Sequence, residues 1–259
     1  MEICFRRRCA GFAAQDKCLL PTPFACQPLQ GTHSLATRTA MMRSTAARGQ
    51  ARRMYSSSVA ASDVVICSVA RTPIGSFNGS LAKMQSTQLG SVAVAAAIER
   101  AGIQGADVGE VYLGNVLPAN SGQAPSRQIA LGAGIPNTVP TTDVNKVCAS
   151  GMKTMMFAAQ SILLGYEDIV VAGGFESMSN IPMYVPKQLP AYGHGQLLDG
   201  LLRDGLTDVY NDVHMGMCGE KCATDYNISR EEQDDFSLRS YELSQKSIAD
   251  GLFEAEIAP

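Results

Sequence analysis

Between residues 63 and 174 the chain repeats one pattern, and that pattern limits its fold most. Short β-branched runs alternate with longer apolar runs that end in glycine. Residues 64–69 read as a buried strand between Asp63 and the Arg71-Thr72-Pro73 turn. Residues 87–101 read as a helix, with Leu89, Val92, Ala93 and Ala96 on one face and Gly102 at its end. A second strand covers 111–116. A short helix follows over 125–131, with Pro125 in its first turn and Gly132 closing it. Residues 140–147 form a strand, 152–164 a helix closed by Gly165, and 168–172 a further strand. Strands separated by helices pair in parallel, because a parallel crossover needs a dozen or more residues. The predicted class is therefore α/β, in layers. The 152–164 helix has no polar face, which predicts cover on both sides.

Cys148 sits where the third of these strands meets that helix, in Asn145-Lys146-Val147-Cys148-Ala149-Ser150-Gly151-Met152-Lys153. A cysteine at a helix N-terminus lies beside unpaired backbone N–H groups and the positive end of the helix dipole. Both favour thiolate, the nucleophilic form. The small residues Ala149, Ser150 and Gly151 leave room for a substrate carbonyl. On spacing alone a buried structural cysteine, which is what most single cysteines are, is the commoner case.

The wording of the segment goes further. It resembles the nucleophile segment of the thiolase family. Four other segments fit the same family in the same order. They are Ala70-Arg71-Thr72-Pro73-Ile74-Gly75-Ser76-Phe77, then Gly114-Asn115-Val116-Leu117 with Gly122 to Gln128, and Ala172-Gly173-Gly174-Phe175-Glu176-Ser177-Met178-Ser179-Asn180. The last is Asp204 to Tyr210 with His214-Met215-Gly216, which is similar to the short-chain, acetoacetyl-CoA subgroup. The resemblance covers about residue 63 onward. It implies a layered αβαβα fold of two similar halves, each with a mixed five-stranded sheet and with central helices between the sheets. Residues 59–179 would be the N-terminal core and 180–259 part of a coenzyme A-binding loop domain. The many prolines and glycines from Pro182 onward match such a loop domain. Its last helix is signalled by the capping-box spacing Ser229-Arg230-Glu231-Glu232. Phe236 with Leu243, and Tyr241 with Ile248, predict contacts on two sides of that helix.

The resemblance implies acetyl-CoA C-acetyltransferase activity, condensing two acetyl-CoA reversibly through an acetyl-cysteine at Cys148. It implies His214 and Met215 beside the pantetheine and acyl group. It also implies Tyr241 against coenzyme A and a potassium ion. Glu176 and Ser177 read as support for the site. The resemblance also implies a coenzyme A thioester as substrate, no prosthetic group, and a dimer or tetramer at full length.

Residues 1–58 read differently. Glu2 and Asp16 are their only acids, against nine Lys and Arg residues among many Ser, Thr and Ala. That composition predicts a disordered mitochondrial transit peptide, with Arg53-Met54-Tyr55-Ser56 resembling a matrix-peptidase site. The expected location is the mitochondrial matrix. Residues 59–259 carry 22 acidic and 12 basic residues, which argues against nucleic acid as a partner. No apolar run reads as the ~18 residues of a membrane span. The eight cysteines lack framework spacing, which fits free thiols in a reducing compartment. Cys218 and Cys222 have helical spacing but no matching histidines for zinc.

The family's Gly-His-Pro base segment, its Cys-x-Gly-Gly-Gly segment and its Asn-Glu-Ala-Phe segment do not occur in the sequence. Nor is the last strand of the first half expected after the loop domain. The expectation is therefore the front portion of a thiolase, without turnover by itself. The alternatives are a non-catalytic short form that binds intact subunits, and a longer-chain 3-ketoacyl-CoA thiolase.

Overall fold

The structure, a computed structural model, describes residues 2–7, 63–188 and 190–259. Five strands make the main sheet: β1 (Glu2–Arg7), β2 (Val64–Ala70), β3 (Glu110–Gly114), β4 (Thr141–Val144) and β5 (Ile169–Gly174). Their order is β2-β1-β5-β3-β4. β3 runs parallel to both β4 and β5, as strand–helix alternation predicts. β1 runs antiparallel to β2 and to β5 and lies between them.

That strand corrects the reading of residues 1–58 as disordered. Residues 2–7 are the fifth strand of a mixed sheet that was expected to lack one. The physical reason is pairing and burial together. β1 satisfies the facing edges of β2 and β5, which would otherwise be left open. Ile3 and Phe5 are buried against β5 and the helix beyond it. Glu2 is also buried, and burial pushes its carboxyl up to about 7. The remainder of the expected transit peptide, including Tyr55, lies outside the described residues.

Helices α1 (Ser86–Ala101) and α2 (Pro125–Gly132) cover one face of the sheet, and α3 (Ser150–Leu164) the other. The period-two alternation of β5 divides the two layers. Val171 joins Val94, Ile98, Val111, Leu113 and Ile129, whereas Val170 and Ala172 join Ala158 and Ile162. α1 turns a different face inward from the one expected. Gly90, Ala93, Val94, Ala97 and Ile98 are buried, while Val92 is exposed. Gly90 fixes this rotation, because a Cβ there would stand 2.6 Å from Ile129 Cδ1.

α3 is covered on one side only. Ala158 and Ile162 are buried, but Met152, Met156, Leu163 and Leu164 face outward. The expected second cover is not supplied by the described residues. The run 147–164 is long and apolar enough to cross a membrane by length and composition, contrary to the reading of run lengths. Here its inner face packs on β1 and β5.

Residues 180–259 carry two short hairpins, β6 (Met183–Tyr184) with β7 (Leu198–Asp199) and β8 (Thr207–Asp208) with β9 (Val213–His214). Helices α4 (Met215–Asp225) and α5 (Arg230–Ala249) follow. α5 opens with the predicted capping box: Glu232 N donates to Ser229 Oγ and Ser229 N to Glu232 Oε2. The residues of its two predicted stripes, Phe236, Tyr241, Leu243 and Ile248, are all exposed, and Phe236 is met by Arg239 of the same helix, 5.3 Å from its ring centroid. The chain then returns to β2. Arg71 N donates to Glu256 O and Ala258 N to Arg71 O, each at 2.8 Å. Arg100 donates to the carbonyls of Val69, Glu256 and Ile257.

Candidate active site

β3, β4 and β5 end on one side of the sheet, where parallel strands gather active-site loops. The predicted strand over 140–147 stops at Val144, and residues 145–149 form a tight turn into α3. Val147 has φ 50, a left-handed conformation that is costly for a β-branched residue. Hydrogen bonds hold it there. Val147 N donates to Asn145 Oδ1 at 2.9 Å, and Asn145 Nδ2 donates to Val116 O at 3.1 Å. Ser150 Oγ donates to Val147 O and accepts from Lys146 N. Cys148 follows at the crest of this turn, exposed and with a free thiol.

Glycines let α3 settle onto the strand ends. A Cβ on Gly114 would come within 2.8 Å of the Ser150 carbonyl carbon. Thr154, fully buried one turn into α3, has its hydroxyl 2.8 Å from Gly173 O and 2.7 Å from Gly151 O. It ties the first turn of α3 to β5.

A carboxylate braces the opposite side of the site. Glu176 accepts from Asn115 Nδ2 and Val116 N, each at 2.9 Å, and from Leu117 N at 3.3 Å. Burial raises its carboxyl pKa, and those hydrogen bonds pull against the rise. Asn115 Nδ2 also donates to Phe175 O, and its own Oδ1 is buried without a hydrogen-bond partner among the described residues. The arrangement presents one exposed nucleophile on a rigid turn, with a strand-end network behind it. This suits attack on an electrophilic carbonyl.

Residues 64–259 match the family described as the thiolase N-terminal domain. The chain belongs to the thiolase family. It is 52% identical over 225 residues to the mitochondrial acetyl-CoA acetyltransferase A of Xenopus laevis, covering 86% of this chain and 54% of that protein. Against acetyl-CoA acetyltransferase 2 of Arabidopsis thaliana the identity is 56% over 206 residues, covering 79% of this chain and 51% of the relative. The crystal structure of Acat5 thiolase from Ascaris suum in complex with coenzyme A matches with TM-score 0.73 and 41% identity, over 74% of this chain and 50% of that one. The thiolase chain thus spans about half the length of the relatives it matches. The expected thiolase fold is present, as the part this chain contains.

The other residues expected at a thiolase site stand on β9, α4 and α5. His214 ends β9 and caps α4, its Nδ1 accepting from Gly216 N at 2.9 Å. Met215 is the first residue of α4 and is 42% exposed. Tyr241 stands on α5, 70% exposed. No hydrogen bond among the described residues joins any of the three to the Cys148 turn. A cleft of 210 Å³ is lined by Ile74, Phe77, Leu81, Glu176 and Met178, and one of 690 Å³ by Met183, Leu198, Arg203, Asp204 and Val209. Neither contains Cys148, His214, Met215 or Tyr241. Tyr241 offers a single phenol oxygen, which is not a potassium site by itself. Among the described residues no group of three or more His, Cys, Asp or Glu could hold a metal.

The residues that shape the turn escaped the sequence reading. Ser150 and Gly151 were read only as small, and Thr154 as one of an apolar run. Thr154 shares its mostly apolar run with Lys153, Gln160 and Ser161, so its hydroxyl carries no distinct signal in the sequence. β1 left a weak signal, the run Ile3-Cys4-Phe5.

Proposed function

We propose that this chain supplies the nucleophile half of an acetyl-CoA C-acetyltransferase. Cys148 attacks the thioester carbonyl of acetyl-CoA and becomes acetylated, releasing coenzyme A. The observation that carries this reading is the exposed Cys148 thiol at the crest of a hydrogen-bonded turn opening α3. The backbone N–H groups at that helix start would stabilise the oxyanion that forms on attack. The names of the relatives and the coenzyme A bound to the Ascaris thiolase support the substrate class.

The thiol proton needs an acceptor, and the second step needs a base at the α-carbon of another acetyl-CoA. The 259 residues contain no Gly-His-Pro or Cys-x-Gly-Gly-Gly segment to provide them. This chain alone therefore performs the first half-reaction at most. No step is assigned to potassium. His214, Met215 and Tyr241 belong to coenzyme A recognition in this reading. Relatives named mitochondrial and the arginine-rich, acid-poor leader support the mitochondrial matrix as its location. Processing after Tyr55 would remove β1 and open the slot between β2 and β5.

The test is stoichiometric labelling. The 259-residue chain is incubated with acetyl-CoA and mapped by peptide mass spectrometry. A hydroxylamine-sensitive acetyl group on Cys148, absent from Cys218 and Cys222 and lost in Cys148→Ser, is the expected result. Equal labelling of Cys148 and the other exposed cysteines among the described residues, Cys67, Cys218 and Cys222, would leave Cys148 an ordinary surface thiol and end this reading.

The outward face of α3 favours a second reading. Met152, Met156, Leu163 and Leu164 are suited to contact with another thiolase subunit or half, in which the chain serves as a binding partner rather than an enzyme. Co-purification with an intact thiolase, lost on Met156→Glu, distinguishes it.

A further inference from the structure

β1 and β2 carry a pair of thiols that the Cys148 chemistry does not use. The register of the two strands pairs Cys4 with Ser68 and Phe5 with Ile66, so Cys67 is an extra residue at a bulge. In a bulge two residues of one strand oppose one residue of the other. The side-chain alternation agrees. Val64 and Val69 both pack on the α3 side of the sheet, although five residues separate them, so the bulge between them has reversed the alternation. Ser68 Oγ donates to Ala97 O of α1 at 2.6 Å, which places Ser68 on the α1 side. Cys67 and Ser68 therefore share that side, both opposite Cys4.

Each thiol shifts the titration of the other through a side-chain hydrogen-bond interaction. Cys4 is buried at 1% exposure, and Cys67 is open to solvent. Directly opposed residues, as Cys4 and Ser68 are, have Cα atoms about 4.5–5.5 Å apart; Cys67 is the bulge neighbour of Ser68 on the same side, and disulfides accept Cα separations of roughly 4.4–6.8 Å. One thiol is thus reachable from outside and the other waits directly behind it.

We propose that Cys4 and Cys67 are a redox-responsive pair, closed to a disulfide by a small disulfide of the glutathione class, that fastens the N-terminal strand β1 to β2. Cys67 thiolate attacks one sulfur of oxidised glutathione. A mixed disulfide forms at Cys67, and the first glutathione leaves as thiolate and takes a proton from solvent. Cys4 sulfur then attacks Cys67 sulfur. The second glutathione leaves, carrying away the Cys4 proton. Two protein thiols are oxidised and one glutathione disulfide is reduced to two thiols.

The division of labour fits the surroundings. The hydrogen bond from Cys4, with Arg6 nearby, lowers the Cys67 pKa to about 7, while the same hydrogen bond and burial push Cys4 up. Cys67 is then the attacking thiol and Cys4 the resolving one. The disulfide would hold β1 in the slot between β2 and β5 for as long as residues 2–7 remain attached.

The experiment uses the whole 259-residue chain with oxidised glutathione at neutral pH, quenched in acid and digested with trypsin without reduction. The peptide 1–6 contains Cys4 as its only cysteine, and 54–71 contains only Cys67. The expected product is these two peptides joined. Cys67, its pKa lowered to about 7, should be glutathionylated before Cys4. Cys4→Ser should stop at the Cys67–glutathione mixed disulfide. Amides of residues 2–7 should exchange more slowly in the oxidised chain than in the reduced one. The proposal is overturned if wild type stops at the mixed disulfide, if Cys67 joins Cys9, Cys18 or Cys26 instead, or if linkage leaves exchange of 2–7 unchanged.

Discussion

Ser150 Oγ donates a hydrogen bond to Val147 O at 2.5 Å and accepts one from Lys146 N at 2.9 Å, closing the turn that carries Cys148 from both sides. Ser150 is itself buried. Ser150→Ala removes both contacts, and an expected loss of about 1–2 kcal/mol follows from breaking two part-buried hydrogen bonds that close the turn. Urea denaturation measures it. Acetyl labelling of Cys148 should weaken in parallel, because the turn that presents the thiol loosens.

Val147 gives the opposite expectation. Its φ of 50 is strained for a β-branched side chain, and 56% of the residue is exposed, so little packing would be lost on removing it. Val147→Gly should hold stability level or raise it by about 0.5–1 kcal/mol, the relief of left-handed strain outweighing the extra freedom of the unfolded chain. A fall in the denaturation midpoint would show that the side chain packs more than its exposure indicates.

Gly114 tests the seating of α3. A Cβ there would stand 2.8 Å from the Ser150 carbonyl carbon, and backbone must move to admit it. Gly114→Ala should cost about 2–3 kcal/mol and displace the Cys148 turn. Gly219→Ala is the control, since a Cβ there meets nothing within 4 Å inside α4. It should be neutral or stabilising by up to about 1 kcal/mol.

Glu2 gives β1 a pH dependence. Burial raises its carboxyl from 4.5 to about 7, so the folded state holds the proton more tightly than the unfolded state does. The stability of β1 docking is therefore greatest below pH 4.5 as far as this group is concerned. It declines as pH rises through 4.5 to 7, by about 3 kcal/mol across that window. Exchange of amides 2–7 measured from pH 5 to 8, corrected for intrinsic rates, should show protection falling with pH. Glu2→Gln should flatten the profile.

Arg100 joins the returning chain end to the sheet through three carbonyls, of Val69, Glu256 and Ile257. Arg100→Ala should release residues 253–258 and cost about 1–2 kcal/mol, as these are charged hydrogen bonds at an exposed site. Arg100→Lys should recover little, because a single ammonium cannot span the same three acceptors. Exchange protection at Ala258, whose amide donates to Arg71 O, reports the release.

The sequence by itself determined the strand–helix alternation from Val64 to Gly174, the parallel pairing of β3 with β4 and β5, the placing of Cys148 at the start of α3 and the capping box of α5. These follow from periodicity, glycine stops and side-chain capping, all of which act within a few residues of chain. Tertiary structure alone decided the face α1 buries, since a glycine set against Ile129 shows its meaning only when α2 is in place. It also decided that Glu2–Arg7 becomes an inner strand. Strand pairing depends on which edges are vacant and which faces need apolar cover, and β2 and β5 lie far from residue 7 in sequence. The left-handed turn at Val147 has the same origin. Its strain is held by Ser150, by Asn145 reaching Val116, and by the glycines that seat α3 on the sheet, and no short stretch of sequence contains them all.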